Sequence, residues 1–511
     1  MAIEFNNLFI KALDLLENTS QNVFITGKAG TGKSTLLDYF RNQTKKRVVV
    51  LAPTGVAAIN VRGETIHSFF GFKPDITLDK VRQLDFKKRQ KENIYKKIDA
   101  IVIDEISMVR ADLLDCVDKF LRLNGPAKNL PFGGLQMIFF GDLYQLPPVV
   151  TSHERHIFQN HYSSPYFFSA RVFQNIKIEY LELEKVYRQK DEQFIGLLNT
   201  IRNNSATEPE LAVLNQRYLP DFEAKDDFAI YLTTTNLMAS ELNEKRLEEL
   251  KGKLRVLEGE LLGDFEQNQL PTGINLKLKI GAQVMMLNND PLRRWVNGTM
   301  GKIKKIKQDE IEVELQDGKR EIVQPFTWEI FHFSFDPKIG QLDSEVVATF
   351  TQFPLKLAWA ITIHKSQGKT FDKVIIDIGR GTFAHGQMYV ALSRCRSLDG
   401  IVLKKLLKKS HIFMDWRVVK FVTSFQYQKS EDNCSLAEKI RLINEVAAKG
   451  GKVKITYLKA SDEKSKRVIE PLEIAEMEYK GKLFLGLRAF CHNRGAERTF
   501  RIDRILEFNE V

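Results

Sequence analysis

Short runs of β-branched and aromatic residues alternate along this chain with longer stretches whose apolar positions recur every three to four residues. Residues 23–25, 48–51, 101–103 and 137–140 are such runs, and each ends in a polar, Gly- or Pro-containing turn. That pattern predicts parallel strands feeding loops at their carboxyl ends, where an open parallel sheet binds its ligand. A second set, at 230–233, 374–377 and 401–403, predicts a second α/β domain. Between the two sets, residues 302–307, 310–315 and 320–323 are separated by Gln308-Asp309 and Asp317-Gly318, a meander with tight turns. Residues 424–433 turn polar and read as a linker. Ser435-x-x-Glu438 then forms a capping box opening a helix with Leu436, Ile440, Ile443 and Val446 on one face, closed by Gly450-Gly451. A small β-rich domain follows it.

Length and charge narrow the class. A chain of 511 residues holds two to four domains, and no repeat points to a solenoid or propeller. Seventy-six Lys and Arg against 65 Asp and Glu leave a formal charge of +11, which suits a polyanionic partner if the excess clusters. The four cysteines, Cys116, Cys395, Cys434 and Cys491, make no CxxC pair, so neither a disulfide framework nor a zinc site is expected. With no long apolar run and no targeting pattern in Met1-Ala2-Ile3-Glu4-Phe5, the expectation is a soluble, cytoplasmic protein with no membrane partner.

The first candidate chemistry lies just after the first strand. In Gly27-Lys28-Ala29-Gly30-Thr31-Gly32-Lys33-Ser34, glycines let backbone N–H groups wrap phosphates, and Lys33 reaches the β and γ phosphates. Ser34 is placed to ligate magnesium, and Gly27, Gly30, Thr31, Gly32 and Thr35 complete the expected nucleotide contacts. Asp104-Glu105 follows another strand, so Asp104 is the expected second magnesium ligand and Glu105 the group that orients or deprotonates the attacking water. Such a loop alone says only that a nucleoside triphosphate binds. No guanine-reading Asn-Lys-x-Asp is present to make the chain a GTPase switch.

Further motifs are more specific. They are Ala52-Pro53-Thr54-Gly55-Val56-Ala57-Ala58, Gly63-x-Thr65-Ile66-His67-Ser68-Phe69, Asp104-Glu105-Ile106-Ser107-Met108, Pro131-Phe132-Gly133-Gly134-Leu135-Gln136, Gly141-Asp142-Leu143-Tyr144-Gln145-Leu146-Pro147-Pro148, Tyr187-Arg188-Gln189, Ala360-Ile361-Thr362-Ile363-His364-Lys365-Ser366-Gln367-Gly368 and Tyr389-Val390-Ala391-Leu392-Ser393-Arg394. In this order the chain resembles the superfamily 1B helicases, and within them the petite integration frequency (PIF) family, over residues 20–405. The resemblance implies an α/β fold of two RecA-like parallel-sheet P-loop domains with a small SH3-like β-barrel inserted in the second. The expected boundaries are 1–180 for the first domain, 181–270 with 346–424 for the second, 271–345 for the barrel and 425–434 for a linker.

The same resemblance implies ATP and Mg2+ as cofactors, single-stranded DNA and single/double-strand junctions as partners, 5′-to-3′ unwinding and a role in genome maintenance. Gln145, just past a strand, reads as a γ-phosphate sensor that signals through Pro147 and Pro148. Arg188 and Arg394 are expected to reach the triphosphate from the second domain, with Gly368 nearby. Pro53, Thr54, Gly55, His67, Ser68, Phe69, Pro148, His364, Lys365 and Ser366 are expected along the strand. Phe69 and Phe70 either stack on bases or pack in the core. Lys87, Lys88, Arg89, Lys91, Lys96 and Lys97, within 71–97, read as a duplex wedge or a solvated face. The family's adenine-reading glutamine falls near Ile10, where Asn6 or Asn7 is the substitute. Lys404-Lys405-Leu406-Leu407-Lys408-Lys409 reads as a helix surface or a phosphate contact.

From about Lys452 onward, Ile455-Thr456-Tyr457-Leu458, Arg467-x-Ile469-Glu470-Pro471, residues 483–491 and Arg498-x-Phe500-Arg501-x-Asp503-Arg504-Ile505 resemble the WYL domain, a module associated with nucleic acid or anionic ligands, which with its leading helix is expected over 435–511. Arg467, Arg498, Arg501 and Arg504 either face a phosphate-bearing ligand or single strand, or pair with Glu470, Glu497 and Asp503. The rival to a helicase is an ATP-switched regulator that binds single strands through this domain without unwinding.

Overall fold

A computed structural model describes residues 5–73, 76–84, 93–150, 161–189, 191–224, 228–263, 270–336, 341–459, 462–479 and 481–510. Lys87, Lys88, Arg89 and Lys91 of the expected wedge lie outside them. The chain forms two compact units, Met1–Asn199 with Ala206–Phe413, and Thr200–Ser205 with Met414–Val511.

The first unit begins with α1 (Asn7–Asn18), β1 (Asn22–Gly27), α2 (Lys33–Gln43), β2 (Val48–Ala52), α3 (Gly55–Asn60), β3 (Glu64–Thr65) and α4 (Ile66–Phe70). It continues with β4 (Ala100–Ile103), α5 (Ala111–Asn124), β5 (Gln136–Phe140) and β6 (Ile178–Leu183). These six strands make one parallel sheet in the order β3-β2-β4-β5-β1-β6. Its inner strands are unbroken apolar runs because both faces are covered. On one face Phe9, Leu16, Leu36 and Phe40 close over Val23, Ile25, Val102 and Ile138. Each such side chain contributes about 1.5–3 kcal/mol of burial. Because β6 pairs with β1 as far as Leu183, the first sheet extends past residue 180.

A second parallel sheet has the order Ala360–Thr362, Ile230–Thr233, Val374–Asp377, Ile401–Leu403. Between its first and second strands in chain order lies an antiparallel five-stranded sheet, Arg320–Val323, Ile311–Leu315, Met300–Ile306, Gln283–Met286 and Leu355–Leu357, around Val284, Met286, Trp295, Ile303 and Val313. A long hairpin, Phe326–Asp336 with Gln341–Gln352, pairs with Glu260–Gly263. The inserted β structure therefore begins before 271 and ends after 345. Lys404 to Lys408 form an irregular loop rather than a helix surface. Lys404 donates to the Phe222 carbonyl (3.0 Å) and Lys405 to that of Gly379 (3.1 Å), so two of these amines tie neighbouring loops together.

The second unit carries the helices Trp416–Asn433 and Leu436–Ala448 and a five-stranded antiparallel sheet. Its core is Ile443, Val446, Val453, Ile455, Ile469, Leu487 and Ile505. Residues 425–433 of the expected linker at 425–434 are the second half of the first of these helices. They looked like a linker because their buried positions are polar. Ser430 Oγ donates to the carbonyls of Ile505 (3.1 Å) and Leu506 (3.0 Å) and accepts from Lys439 Nζ (2.7 Å), while Gln426 Nε2 donates to Asp462 (2.9 Å). Hydrogen bonds replace apolar contact there. No described helix is long and apolar enough to cross a membrane.

Candidate nucleotide and strand-binding site

The phosphate loop joins β1 to α2. Lys33 Nζ donates to the carbonyls of Gly27 (2.7 Å) and Lys28 (3.1 Å), and Thr31 Oγ1 to that of Lys28 (2.9 Å). Ser34 and Thr35 are exposed at the start of α2, where unpaired N–H groups and the helix dipole favour an anion. Gly30 adopts φ +82°, and a Cβ there would stand 2.5 Å from Arg188 Cβ. The segment carrying Arg188 lies directly over the loop, with Tyr187 N–H donating to the Gly30 carbonyl (2.8 Å). Asn6 Nδ2 donates to Tyr187 Oη (3.2 Å), which brings one of the two expected adenine-side asparagines to this edge, while Ile10 is exposed.

Asp104 and Glu105 end β4. Accessible surface leaves both half-exposed, yet protein surrounds their carboxyls on most sides. Burial, then the charge of Glu105, pushes the Asp104 carboxyl up to about 7. Burial also raises Glu105, against the pull of Lys33 and Arg394. Two carboxyls crowded beside cationic groups are suited to a divalent ion and to proton transfer. Glu105 has φ +51°, a left-handed conformation uncommon for a residue with a side chain.

The second sheet supplies the opposite wall. Its short helix Gln387–Ser393 reaches both nucleotide loops of the first sheet. Tyr389 Oη accepts from Ala29 N–H in the phosphate loop (3.0 Å), and a His385 ring nitrogen lies 2.9 Å from the Leu143 carbonyl. Gly386, at φ +70°, sits against the backbone carbonyls of Tyr144 and Gln145. Gln145 is buried and donates through Nε2 to Asp142 (3.2 Å).

Arg394, at the end of the helix, is 1% exposed and donates to the Val390, Lys369 and Ser366 carbonyls at 3.0, 3.2 and 3.5 Å and to Ser393 Oγ at 2.8 Å. Burial, then Arg188, lowers its pKa, while Glu105 and Asp142 offset part of that. Arg188 donates to the Ser393 carbonyl (3.3 Å). Gln367 Nε2 crosses the cleft to Glu105 Oε2 (2.9 Å).

The expected strand residues divide by exposure. Thr54 and Ser68 are exposed, although Thr54 Oγ1 caps α3 by accepting from Ala57 N–H (3.3 Å) and Ser68 Oγ donates to Glu64 (2.6 Å). Pro53, His67 and His364 are half-buried, Lys365 is exposed, and Gly55 and Pro148 are buried. Phe69 needs correction. It is 1% exposed, its ring packed edge-on against Phe70 (4.9 Å) and Tyr95 (5.3 Å), so no face is left for a base. Ser366 is corrected likewise: it is fully buried, and its Oγ donates to the Ile363 carbonyl (2.7 Å), which shapes the loop. Gly368, at φ +77°, stands in open space after that loop.

The profile of the PIF1-like helicase family matches residues 4–210, and that of the WYL domain matches 438–509. The chain is 34% identical over 435 residues to the ATP-dependent DNA helicase Pif1 of Bdellovibrio bacteriovorus, covering 83% of this chain and 93% of that protein. The chain belongs to the PIF1-like helicase family. It is also 36% identical to the human ATP-dependent DNA helicase PIF1, covering 75% of this chain and 58% of that longer protein. Among solved PIF1-like structures, Bacteroides Pif1 in complex with ADP-AlF4 superposes with a TM-score of 0.76 at 36% identity, covering 84% of this chain and 98% of that one. The single-strand-bound form of that protein superposes with a TM-score of 0.61, also at 36% identity, covering 83% and 97%.

Sequence reasoning on this PIF1-like chain passed over four residues that the geometry brings forward. Tyr389 and Gln367 lay inside quoted motifs without a role, and Gly386 carried no signal beyond being a glycine. Phe383 is 64% exposed and lies parallel to the His364 ring, 6.5 Å between centroids and 18° between planes. An isolated phenylalanine in a loop has no sequence signature.

Proposed function

We propose that this protein is an ATP-dependent DNA helicase that moves 5′-to-3′ along single-stranded DNA and opens duplex at single/double-strand junctions. The observation that carries the reading is the helix Gln387–Ser393, which touches the phosphate loop through Tyr389 and the sensor loop through Gly386, and ends in Arg394. A nucleotide at that seam is held from both sheets, so its cleavage alters the grip of one on the other. Support comes from the relatives named ATP-dependent DNA helicase and from the solved forms with ADP-AlF4 and with single-stranded DNA.

In this reading Lys33 and the N–H groups of 27–35 bind the phosphates, Gln145 senses the γ-phosphate, and Glu105 takes the proton of the attacking water. Arg188 and Arg394 turn toward the transferring group once nucleotide draws the sheets together. Magnesium would be held by Ser34 and Asp104, where it screens developing phosphate charge. Among the described residues no cluster of three or more His, Cys, Asp or Glu could hold a metal, so phosphate and water oxygens must complete its shell.

On the strand side we assign Thr54, His67, Ser68, His364 and Lys365 to phosphates and Phe383, in place of Phe69, to base stacking. In the WYL unit Arg501 is committed to Asp503 by two bonds (3.0 and 2.6 Å), which leaves Arg467, Arg498 and Arg504 for a phosphate-bearing ligand.

The test is unwinding of duplexes that carry only a 5′ or only a 3′ single-stranded tail, beside the Lys33→Ala variant. Unwinding from the 5′ tail alone and loss of ATP turnover in the variant are expected. Undiminished turnover in Lys33→Ala removes the motor reading, and activity confined to 3′ tails removes the polarity.

A further inference from the structure

Gln367 stands between two functions. Its Nε2 donates to Glu105 Oε2 at 2.9 Å, while its Oε1 is buried with no hydrogen-bond partner. It directly follows the turn His364–Ser366, whose His364 and Lys365 are assigned to the strand. Backbone bonds keep that turn and Gln367 together: Ser366 N–H donates to the Ile363 carbonyl and Gln367 N–H to that of His364, both at 3.2 Å. Any displacement of the turn by a bound strand therefore moves the Gln367 side chain.

The bond has a definite effect on Glu105. An amide N–H donated to a carboxylate stabilises its ionised form and occupies a lone pair, and both make it a poorer proton acceptor. The hold also carries a cost. Leaving the Oε1 of Gln367 buried without a donor costs free energy, and so does the left-handed backbone of Glu105, and both offset part of what the bond contributes.

We propose that Gln367 is a latch on Glu105. With no strand bound it holds the carboxylate away from the attacking water; strand phosphates at His364 and Lys365 withdraw it, and turnover begins. In the released state one water proton passes to Glu105, the water oxygen bonds to the γ-phosphorus, and the bond from that phosphorus to the β-bridging oxygen breaks, leaving ADP and phosphate. Gln367 is thus a positioning residue, and its role is to make ATP use depend on the strand. The inference rests on the helicase reading above.

The test is steady-state ATPase of the full chain, without strand and with saturating oligo-dT, for the wild type, Gln367→Leu and Gln367→Met. Neither replacement can donate to Glu105. A lost hydrogen bond to a charged group corresponds to roughly a tenfold rise in strand-free kcat, with the oligo-dT-saturated kcat changed by less than about threefold and KM for ATP unmoved.

Strand-free turnover that stays put, or falls in step with the saturated rate, overturns the latch and makes Gln367 a support for productive Glu105 geometry. If Gln367→Leu does not fold, Gln367→Met, which keeps the unbranched shape and approximate size, decides alone. A wild type that oligo-dT fails to stimulate refutes the helicase reading instead, a separate outcome.

Discussion

Replacing Gly386 with alanine strikes the contact between the second sheet and the Gln145 loop, and so tests the closure proposed above. A Cβ at this position would stand 2.3 Å from the Gln145 carbonyl oxygen, 2.4 Å from that of Tyr144 and 2.7 Å from the Gln145 carbonyl carbon. All three are backbone atoms, so no side chain can rotate aside. Ordinary contact between carbon atoms begins at ~3.5 Å, so the helix Gln387–Ser393 and the Gln145 loop must part by about 1 Å. Forcing them apart costs about 1–3 kcal/mol, and the φ of +70° adds about 1–2 kcal/mol for any residue with a side chain.

The rate effect should exceed the stability effect. A displacement of about 1 Å near reacting groups costs up to ~100-fold in rate. Gly318→Ala is the control: its φ is +84° with no atom within 4 Å, so it carries backbone strain alone. The assay is oligo-dT-stimulated ATPase, with thermal unfolding and oligo-dT affinity measured alongside. Gly386→Ala should lose about 10- to 100-fold in kcat with oligo-dT affinity little changed, whereas Gly318→Ala keeps its kcat. A Gly386→Ala protein with kcat within about twofold of the wild type would refute closure through this helix.

The Asp104 carboxyl, raised to about 7 by burial and then by Glu105, binds more protons folded than unfolded between its ordinary range and that value. The contribution of the Asp104–Glu105 pair to stability therefore falls as pH rises from about 4 to about 7. Turnover should decline on acidification through neutrality, and magnesium-nucleotide should raise Tm more at about pH 8 than at about pH 6; a flat rate profile across that interval contradicts the crowding. Phe383→Ala should weaken oligo-dT binding by about 1–3 kcal/mol, whereas Phe69→Ala should cost about 3–5 kcal/mol of stability; the reverse pattern restores Phe69 to the strand. Lys356, its amine pushed down to about 7 by burial and by Lys369 and Lys365, should raise Tm at neutral pH when changed to Met, and a fall in Tm means that its charge is compensated.

Local patterns carried much of this protein. The strands before Gly27 and Asp104 are short apolar runs that only a two-sided parallel sheet can bury, so their place in the fold was legible from neighbouring residues alone. The phosphate loop was legible for a related reason: its glycines and Lys33 are set by the shape and charge of a phosphate, which act within a few residues. What depended on contacts between distant segments was not legible. A polar helix half, 425–433, read as a linker because the carbonyls that satisfy Ser430 come from residues 505 and 506.

Phe69 and Phe383 show the same division at the site. Both are phenylalanines beside a motif, and side-chain chemistry cannot rank them; burial under Phe70 and Tyr95 removes one, and exposure beside His364 presents the other. The sequence by itself determined the parallel-sheet class, the phosphate chemistry and the family, since these rest on patterns that span a few residues each. Only the tertiary structure decided which groups face one another across the cleft, Gln367 with Glu105, Tyr389 with Ala29 and Gly386 with Gln145. Those pairs are separated by more than two hundred residues of chain, and their meeting depends on how the two sheets pack, which no local spacing encodes.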